Sequence, residues 1–186
     1  MFNTALLDAL KVLQNKQILL YPTDTVWGLG CDATCDEAVA KIFELKNRVE
    51  SKSLVILVSS LEMLNSYIET IPEKAIHIIT ASEKPTTIIY NNPKRLASNT
   101  IASDNTIAIR IPTHDYCLDL INLFGKPIVS TSANISGEAT PKSFSEISQP
   151  ILEGVDYIVN LERDKITDKS STILKLIGED IEVIRD

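Results

Sequence analysis

The sequence predicts a single α/β domain built on a mixed sheet, and three observations predict it. Short apolar runs with strand character alternate with segments whose apolar residues recur at helical spacing. The last three strand-like runs follow one another with no helix between them, which a purely parallel sheet would not allow. No internal repeat, low-complexity tract or linker divides the 186 residues, a length that buries about 70% of its unfolded surface.

The elements follow in order. Thr4–Gln14 places Ala5, Leu6, Ala9, Leu10 and Leu13 on one helical face, with Asn3 positioned as a cap. Gln17–Tyr21 is an apolar strand that Pro22 ends, because proline cannot donate to a ladder. Thr23, Asp24, Thr25, Gly28 and Gly30 come next. Short oxygen-bearing side chains and glycines after a buried strand make either a plain turn or a place where backbone can approach a ligand. Thr34-Cys35-Asp36-Glu37 has the form of a capping box, and Ala38, Val39, Ile42, Phe43 and Leu45 continue as an amphipathic helix to Lys46-Asn47-Arg48.

Leu54–Val58 is the next strand, followed by a short helix over Leu61–Ile68 and another that Pro72 opens and that runs to about Thr80. Thr86–Tyr90 is a strand, and the polar stretch Asn91–Asn105 reads as a loop or lid. Thr106–Ile111 is a strand and His114–Phe124 a helix that Gly125 stops. Lys126–Ser130 is a strand, Ser143–Ile147 a short helix, and Asp156–Asn160, Thr172–Leu176 and Ile181–Arg185 are the closing strands.

Composition narrows the function. Hydrophobic content of 44% and charged content of 23% are those of a soluble globular protein, and no apolar run approaches a membrane span. Asp8 and Lys11 interrupt the N-terminal apolar pattern, which makes it a helix rather than a signal peptide, so a cytoplasmic location is expected. Cys31, Cys35 and Cys117 match no zinc spacing and are expected to be reduced thiols; neither histidine sits in a metal-ligand pattern. A net charge of −7 argues against a broad nucleic-acid surface. From Glu138 onward lie 11 acids and 6 bases, which leaves the earlier part close to neutral and compatible with a local basic patch.

Gly28-Leu29-Gly30-Cys31-Asp32-Ala33 fits the dinucleotide pattern G-x-G-x-x-A, but Pro22 to Trp27 separate it from the strand and the helix begins too late. No P-loop pattern occurs. Lys46, Arg48 and Lys52 gather at a helix end, where they serve either as helix-dipole partners on a solvated face or as a phosphate clamp. Ser130-Thr131-Ser132-Ala133-Asn134 is dense in hydrogen-bonding groups after a strand, and Arg110 ends another strand, where a buried guanidinium needs an anion. Ser170-Ser171-Thr172 repeats the hydroxyl theme. With no Ser-His-Asp or Cys-His set, this inventory suits binding a polyphosphate and a small polar molecule.

These motifs, YPTDTVWGLGCDA, KNRVESKSL, IAIRIP, STSANISG, SSTILKL and IEVIR, resemble those of the YrdC family in the same order and cover nearly the whole chain. The resemblance implies a YrdC-like domain over residues 1–186: a twisted mixed sheet with flanking helices and a concave ligand site. It implies a short-form L-threonylcarbamoyladenylate synthase, a nucleotidyltransferase acting on L-threonine, bicarbonate and ATP in tRNA threonylcarbamoyladenosine modification. ATP would be a substrate accompanied by Mg²⁺, with no tightly bound cofactor, no protein metal site and no membrane partner. The tRNA-threonylcarbamoyl transferase proteins would act downstream, with tRNA or double-stranded RNA as a further contact. The alternatives are a non-synthase paralogue of the same fold and an RNA-binding module.

The K-x-R and S-x-N signatures fall on Lys46 and Arg48 and on Ser132 and Asn134, the implied catalytic set. Arg48, Lys52, Thr106, Ser132, Thr140 and Arg185 would bind ATP, and Thr25, Arg110, Ser130 and Ser171 would bind threonine. Two departures stand out. Glu83-Lys84-Pro85-Thr86-Thr87 replaces the family's common Pro-Gly-Pro-x-Thr, and Trp27 replaces its usual tyrosine. Trp27 and the apolar residues beside Thr25 are the expected contacts for the threonine methyl. Strands ending at Tyr21, Arg110 and Ser130 should place Thr25, Arg110 and Ser132 around one cavity.

Overall fold

In the order β7-β1-β2-β6-β3-β5-β4-β8-β9, nine strands among the described residues make one mixed sheet. A computed structural model describes residues 4–48, 54–167, 170–177 and 180–186. The strands are β1 (Leu19–Tyr21), β2 (Gly28–Gly30), β3 (Val55–Leu57), β4 (Thr86–Asn91), β5 (Thr106–Arg110), β6 (Ile128–Ser132), β7 (Tyr157–Ile158), β8 (Thr172–Ile177) and β9 (Asp180–Arg185). The helices are α1 (Thr4–Gln14), α2 (Asp36–Leu45), α3 (Leu61–Tyr67), α4 (Glu73–Ala81), α5 (Asp115–Phe124) and α6 (Gln149–Gly154). None of these helices is long and apolar enough to cross a membrane.

The alternation of side chains along each strand divides the core into two clusters. Leu19, Tyr21, Leu57 and Ile128 join Leu6, Ala9 and Leu13 of α1 and Leu120 and Ile121 of α5. Their neighbours Leu20, Ile56 and Val129 join Val39, Ile42 and Phe43 of α2, with Ile88, Ile107 and Ile109. The central strands are therefore covered on both faces, which explains their continuous apolar runs.

Pairing alternates in sense. β3 runs parallel to β5 and antiparallel to β6, while β2 lies antiparallel to both β1 and β6. β1 and β6 therefore run in one sense and β3 and β5 in the other, and the connection after β1 reaches across to the C-terminal end of β5, where Asp24 and Thr25 meet Arg110.

Several local expectations shift. The residues Gly28–Gly30 form a strand, where the sequence reads as a loop; glycine carries almost no strand signal. Gly30 is needed there, because a Cβ at this position would lie 2.6 Å from the Tyr21 ring. Cys35, not Thr34, precedes α2 and makes no side-chain cap; Thr34 instead donates its N–H and hydroxyl to Asp32. Residues 98–100 form a single 3₁₀ turn tied to α2: the Ser98 N–H donates to Asp36 over 2.7 Å, and the Asn99 amide donates to the Asp36 carbonyl. The stretch read as a possible lid is therefore anchored. The short helix expected at Ser143–Ile147 is one 3₁₀ turn, and α6 was not anticipated because its six residues show no helical period.

Candidate active site

Lys46 and Arg48 owe their positions to a helix end. Asn47 adopts a left-handed φ of 49° immediately after α2. The Arg48 N–H donates to the Phe43 carbonyl over 2.9 Å and the Asn47 N–H to the Glu44 carbonyl over 3.0 Å. These are the two bonds of a Schellman turn, and they reverse the chain so that Arg48 faces the sheet.

Lys46 is 1% exposed, an unusual environment for an ammonium. Its Nζ donates to the backbone carbonyls of Ser132 and Asn134 over 2.5 and 2.6 Å. In return the Ser136 N–H donates to the Lys46 carbonyl over 2.8 Å. Burial, and next the charge of Arg48, pull the Lys46 ammonium down from 10.5 to about 8. Asn134 is held as firmly: its Oδ1 accepts from the Ser132 hydroxyl, and its Nδ2 donates to the Glu138 carbonyl. Lys46, Arg48, Ser132 and Asn134 line one hollow of about 260 Å³ with Asn47, Ser136 and Gly137.

A second hollow of about 230 Å³ adjoins the first through Arg48 and Ser132. Thr25, Arg110, Ser130, Thr140, Ser171 and Arg185 line it, together with Val26, Gly28, Leu54, Val55, Thr131, Ser170 and Ile173. The expected gathering of Thr25, Arg110 and Ser132 around one cavity is met. The hydroxyl cluster differs in detail: Ser130, Thr131 and Ser132 belong to β6 itself rather than to a loop after it. Gly28, paired across the ladder with Ser132, leaves space that a Cβ would close against the Ser130 hydroxyl at 3.3 Å.

The cavity is strongly cationic. Arg110 pairs with Asp24, the two side chains being 3% and 7% exposed. Arg185 donates through Nε and Nη2 to the Ser171 carbonyl over 3.2 and 2.9 Å. The Ser171 hydroxyl shares a 2.8 Å bond with Thr87. Burial lowers the Arg48 and Arg185 guanidinium groups from their ordinary range, and Arg110 lowers Arg185 further. Three guanidinium groups with hydroxyl donors between them form a receptor for anions.

Three expected residues stand differently. Thr106 begins β5, four residues and about 13 Å from Arg110 at its other end, and its hydroxyl donates to Asp104 over 2.6 Å. It is not among the residues lining either hollow. Lys52 lies outside the described residues. Trp27 is 2% exposed and packs on Phe144 with ring centroids 5.0 Å apart, so Val26 beside it faces the cavity instead. The sequence marked Val26 only as an apolar neighbour of Thr25 and did not single out Ile173, which β8 brings to the hollow. Among the described residues no group of three His, Cys, Asp or Glu could hold a metal ion.

Comparison with known proteins accords with this geometry. A model of the family described as Sua5_yciO_yrdC, telomere recombination, matches residues 11–186. The threonylcarbamoyl-AMP synthase of Acinetobacter baumannii is 32% identical, over 96% of this chain and 98% of that protein. Its counterpart from Hahella chejuensis is 33% identical, over 80% of this chain and 82% of that protein. The crystal structure of P. abyssi Sua5 complexed with L-threonine superposes with a TM-score of 0.88 at 28% identity and covers 97% of this chain. This chain spans 53%, about half, of that longer one.

Proposed function

This chain belongs to the Sua5/YciO/YrdC family, and we propose that it is an L-threonylcarbamoyladenylate synthase, a nucleotidyltransferase that joins L-threonine, bicarbonate and ATP. The observation that carries the reading is the pair of adjoining hollows. One holds Arg110, Thr25, Ser130 and Ser171, suited to a small amino acid; the other holds Arg48, Ser132 and Asn134, suited to phosphates. A shared wall of Arg48 and Ser132 would bring the two substrates to contact distance.

The chemistry needs little from the protein as acid or base. The threonine amine condenses with bicarbonate, losing water, to give an N-carboxylate. A carboxylate oxygen then attacks the α-phosphorus of ATP, the bond to the β-phosphate bridging oxygen breaks, and pyrophosphate leaves with the electron pair. Charge accumulates on the phosphate oxygens, and fixed cations aimed at that charge are the effective catalytic device. Arg48 and the Ser132 hydroxyl on the shared wall, with Arg185 and the Thr140 hydroxyl from the adjoining hollow, would meet that charge, and Mg²⁺ would arrive with ATP. The product is an activated carbamoyl adenylate, to be passed to the transferase that modifies tRNA.

The deciding experiment incubates the protein with ATP, bicarbonate and labelled threonine. A labelled adenylate formed only when all three are present is the expected result; ATP hydrolysis without a labelled adenylate would overturn the reading.

A further inference from the structure

The strand β5 delivers Arg110 to the hollow that Thr25 and Ser130 also line, with a side chain only 3% exposed. A guanidinium taken that far from water requires a compensating anion and filled hydrogen bonds. Asp24 supplies the anion from the connection between β1 and β2. Its Oδ1 accepts from Arg110 Nη1, and its Oδ2 accepts from the Thr113 N–H over 3.1 Å and the Thr113 hydroxyl over 3.4 Å. The carboxylate thus bridges two separate connections, one after β1 and one after β5. Asp24 is not among the residues lining the hollow, so it acts on Arg110 from behind.

The neighbouring bonds give this bridge a direction. Arg110 Nη2 lies 3.4 Å from the Thr25 hydroxyl. That hydroxyl is 3.0 Å from the Thr23 hydroxyl, which also accepts from the Thr25 N–H and donates to the Val26 carbonyl over 2.8 Å. A guanidinium has five N–H donors, and these contacts engage two of them; Nε has no partner. Asp24 therefore fixes the plane of the fork while leaving donors for an incoming carboxylate. It also offsets one of the three arginine charges around the hollow.

We propose that Asp24 is the positioning residue of the amino-acid subsite. It holds Arg110 in the plane that meets the substrate carboxylate beside Thr25 and Ser130, and it keeps the subsite from acting as a general anion trap. The proposal rests on the synthase reading above. It makes recognition of threonine depend on the orientation of Arg110 rather than on net positive charge.

The test uses Asp24→Asn, which preserves shape and one acceptor but removes the charge. L-Threonine and inorganic pyrophosphate serve as separate probes in calorimetry. Threonine affinity should fall by about 10–100-fold, the cost of a misplaced binding group. Pyrophosphate affinity should stay level or rise, because the hollow has gained a positive charge. A general loosening of the fold would weaken both. In an Arg110→Gln background, Asp24→Asn should cost threonine binding nothing further, since residues acting through one another are not additive. If Asp24→Asn proves too unstable to purify, Asp24→Glu carries the same test: the charge stays, pyrophosphate binding holds, and threonine binding alone weakens. A folded variant with threonine affinity within about twofold of the parent, parallel loss of both probes, or full additivity with Arg110→Gln would each overturn the proposal. Failure of the parent protein to bind threonine would instead refute the synthase reading.

Discussion

The Lys46 ammonium sits 2.5 Å from the backbone carbonyl oxygen of Ser132, so the first residue of one signature is bonded to the main chain of the other. Lys46 is spent on shape. With the Asn134 carbonyl also in its grasp, it ties the end of α2 to the segment that carries Ser132 and Asn134. Lys46→Met keeps the stem and deletes the donors, so the Ser132 and Asn134 carbonyls lose their charged partner, although Ser132 keeps the Asn134 N–H at 2.9 Å. The loss of charged hydrogen bonds is worth about 1.5–3 kcal/mol, and the melting temperature should fall by about 3–12 °C. Differential scanning calorimetry checks this, and an unchanged transition would mean the clamp is not structural.

The depressed Lys46 value, about 8, gives stability and activity opposite responses to pH. Between about 8 and 10.5 the unfolded chain holds this proton and the folded chain has released it. Stability contributed by this group therefore rises with pH across that window. Activity should fall over the same range, because a neutral amine holds the two carbonyls less firmly. The profile of kcat/KM should show a descending limb near pH 8 in the parent, and Lys46→Met should lack it. The stability difference between parent and variant should meanwhile widen in the parent's favour as pH rises from 8 to 10.

On the proposed function, Arg48 should bear on phosphate rather than on folding. The turn that positions it is made by backbone bonds to Phe43 and Glu44, which Arg48→Ala preserves. Removing a charged hydrogen bond to ATP costs about 1.5–3 kcal/mol, or roughly 10–150-fold in affinity. Calorimetric titration with ATP is the check, with circular dichroism confirming the fold; intact affinity in a folded variant would return Arg48 to a helix-end role.

Two glycines of β2 should separate stability from binding. A Cβ on Gly30 meets the Tyr21 ring at 2.6 Å and the Val129 carbonyl at 3.0 Å, so Gly30→Ala should overpack the core and cost about 1–3 kcal/mol. A Cβ on Gly28 meets only the Ser130 hydroxyl at 3.3 Å and Thr23 at 3.5 Å among side chains. Gly28→Ala should leave the melting temperature nearly unchanged and weaken threonine binding by crowding the hollow. Equal melting losses in the two variants would contradict this division.

What was legible in the sequence follows from where the physics is local. Apolar runs ending at Tyr21 and Arg110 set strands whose ends carry the site, and Gly125 stops α5 with a left-handed φ of 72°, as its position implies. The K-x-R and S-x-N pairs were readable as candidates because each is a short pattern. Their mutual bonding was not, because Lys46 and Ser132 meet across 86 positions of sequence. The same holds for Asp24 and Arg110, which join loops far apart in the chain. β2 escaped detection because two of its three residues are glycine, and its strand character comes wholly from its partners β1 and β6. Thr106 was marked through the family pattern; it begins β5 at the end opposite Arg110 and is not among the residues lining either hollow.

The last prediction concerns bicarbonate and the threonine methyl. If the nucleophile is the N-carboxylate, threonine alone cannot release pyrophosphate from ATP. In carbonate-depleted buffer pyrophosphate release should stop, and added bicarbonate should restore it. Serine lacks one methyl, a difference that an apolar contact discriminates by about 10–200-fold. The contact should come from Val26, which lines the same hollow as Thr25, and not from Trp27, which is engaged with Phe144. Val26→Ala should therefore compress the threonine-to-serine ratio of kcat/KM, while Trp27→Phe leaves that ratio in place and lowers stability. Because Arg110 and Ser130 hold the amino acid in this reading, Ser130→Ala should raise the threonine KM more than the ATP KM. Equal pyrophosphate release with and without bicarbonate, or equal rates for threonine and alanine, would leave a general ATP hydrolase as the better account of these two hollows.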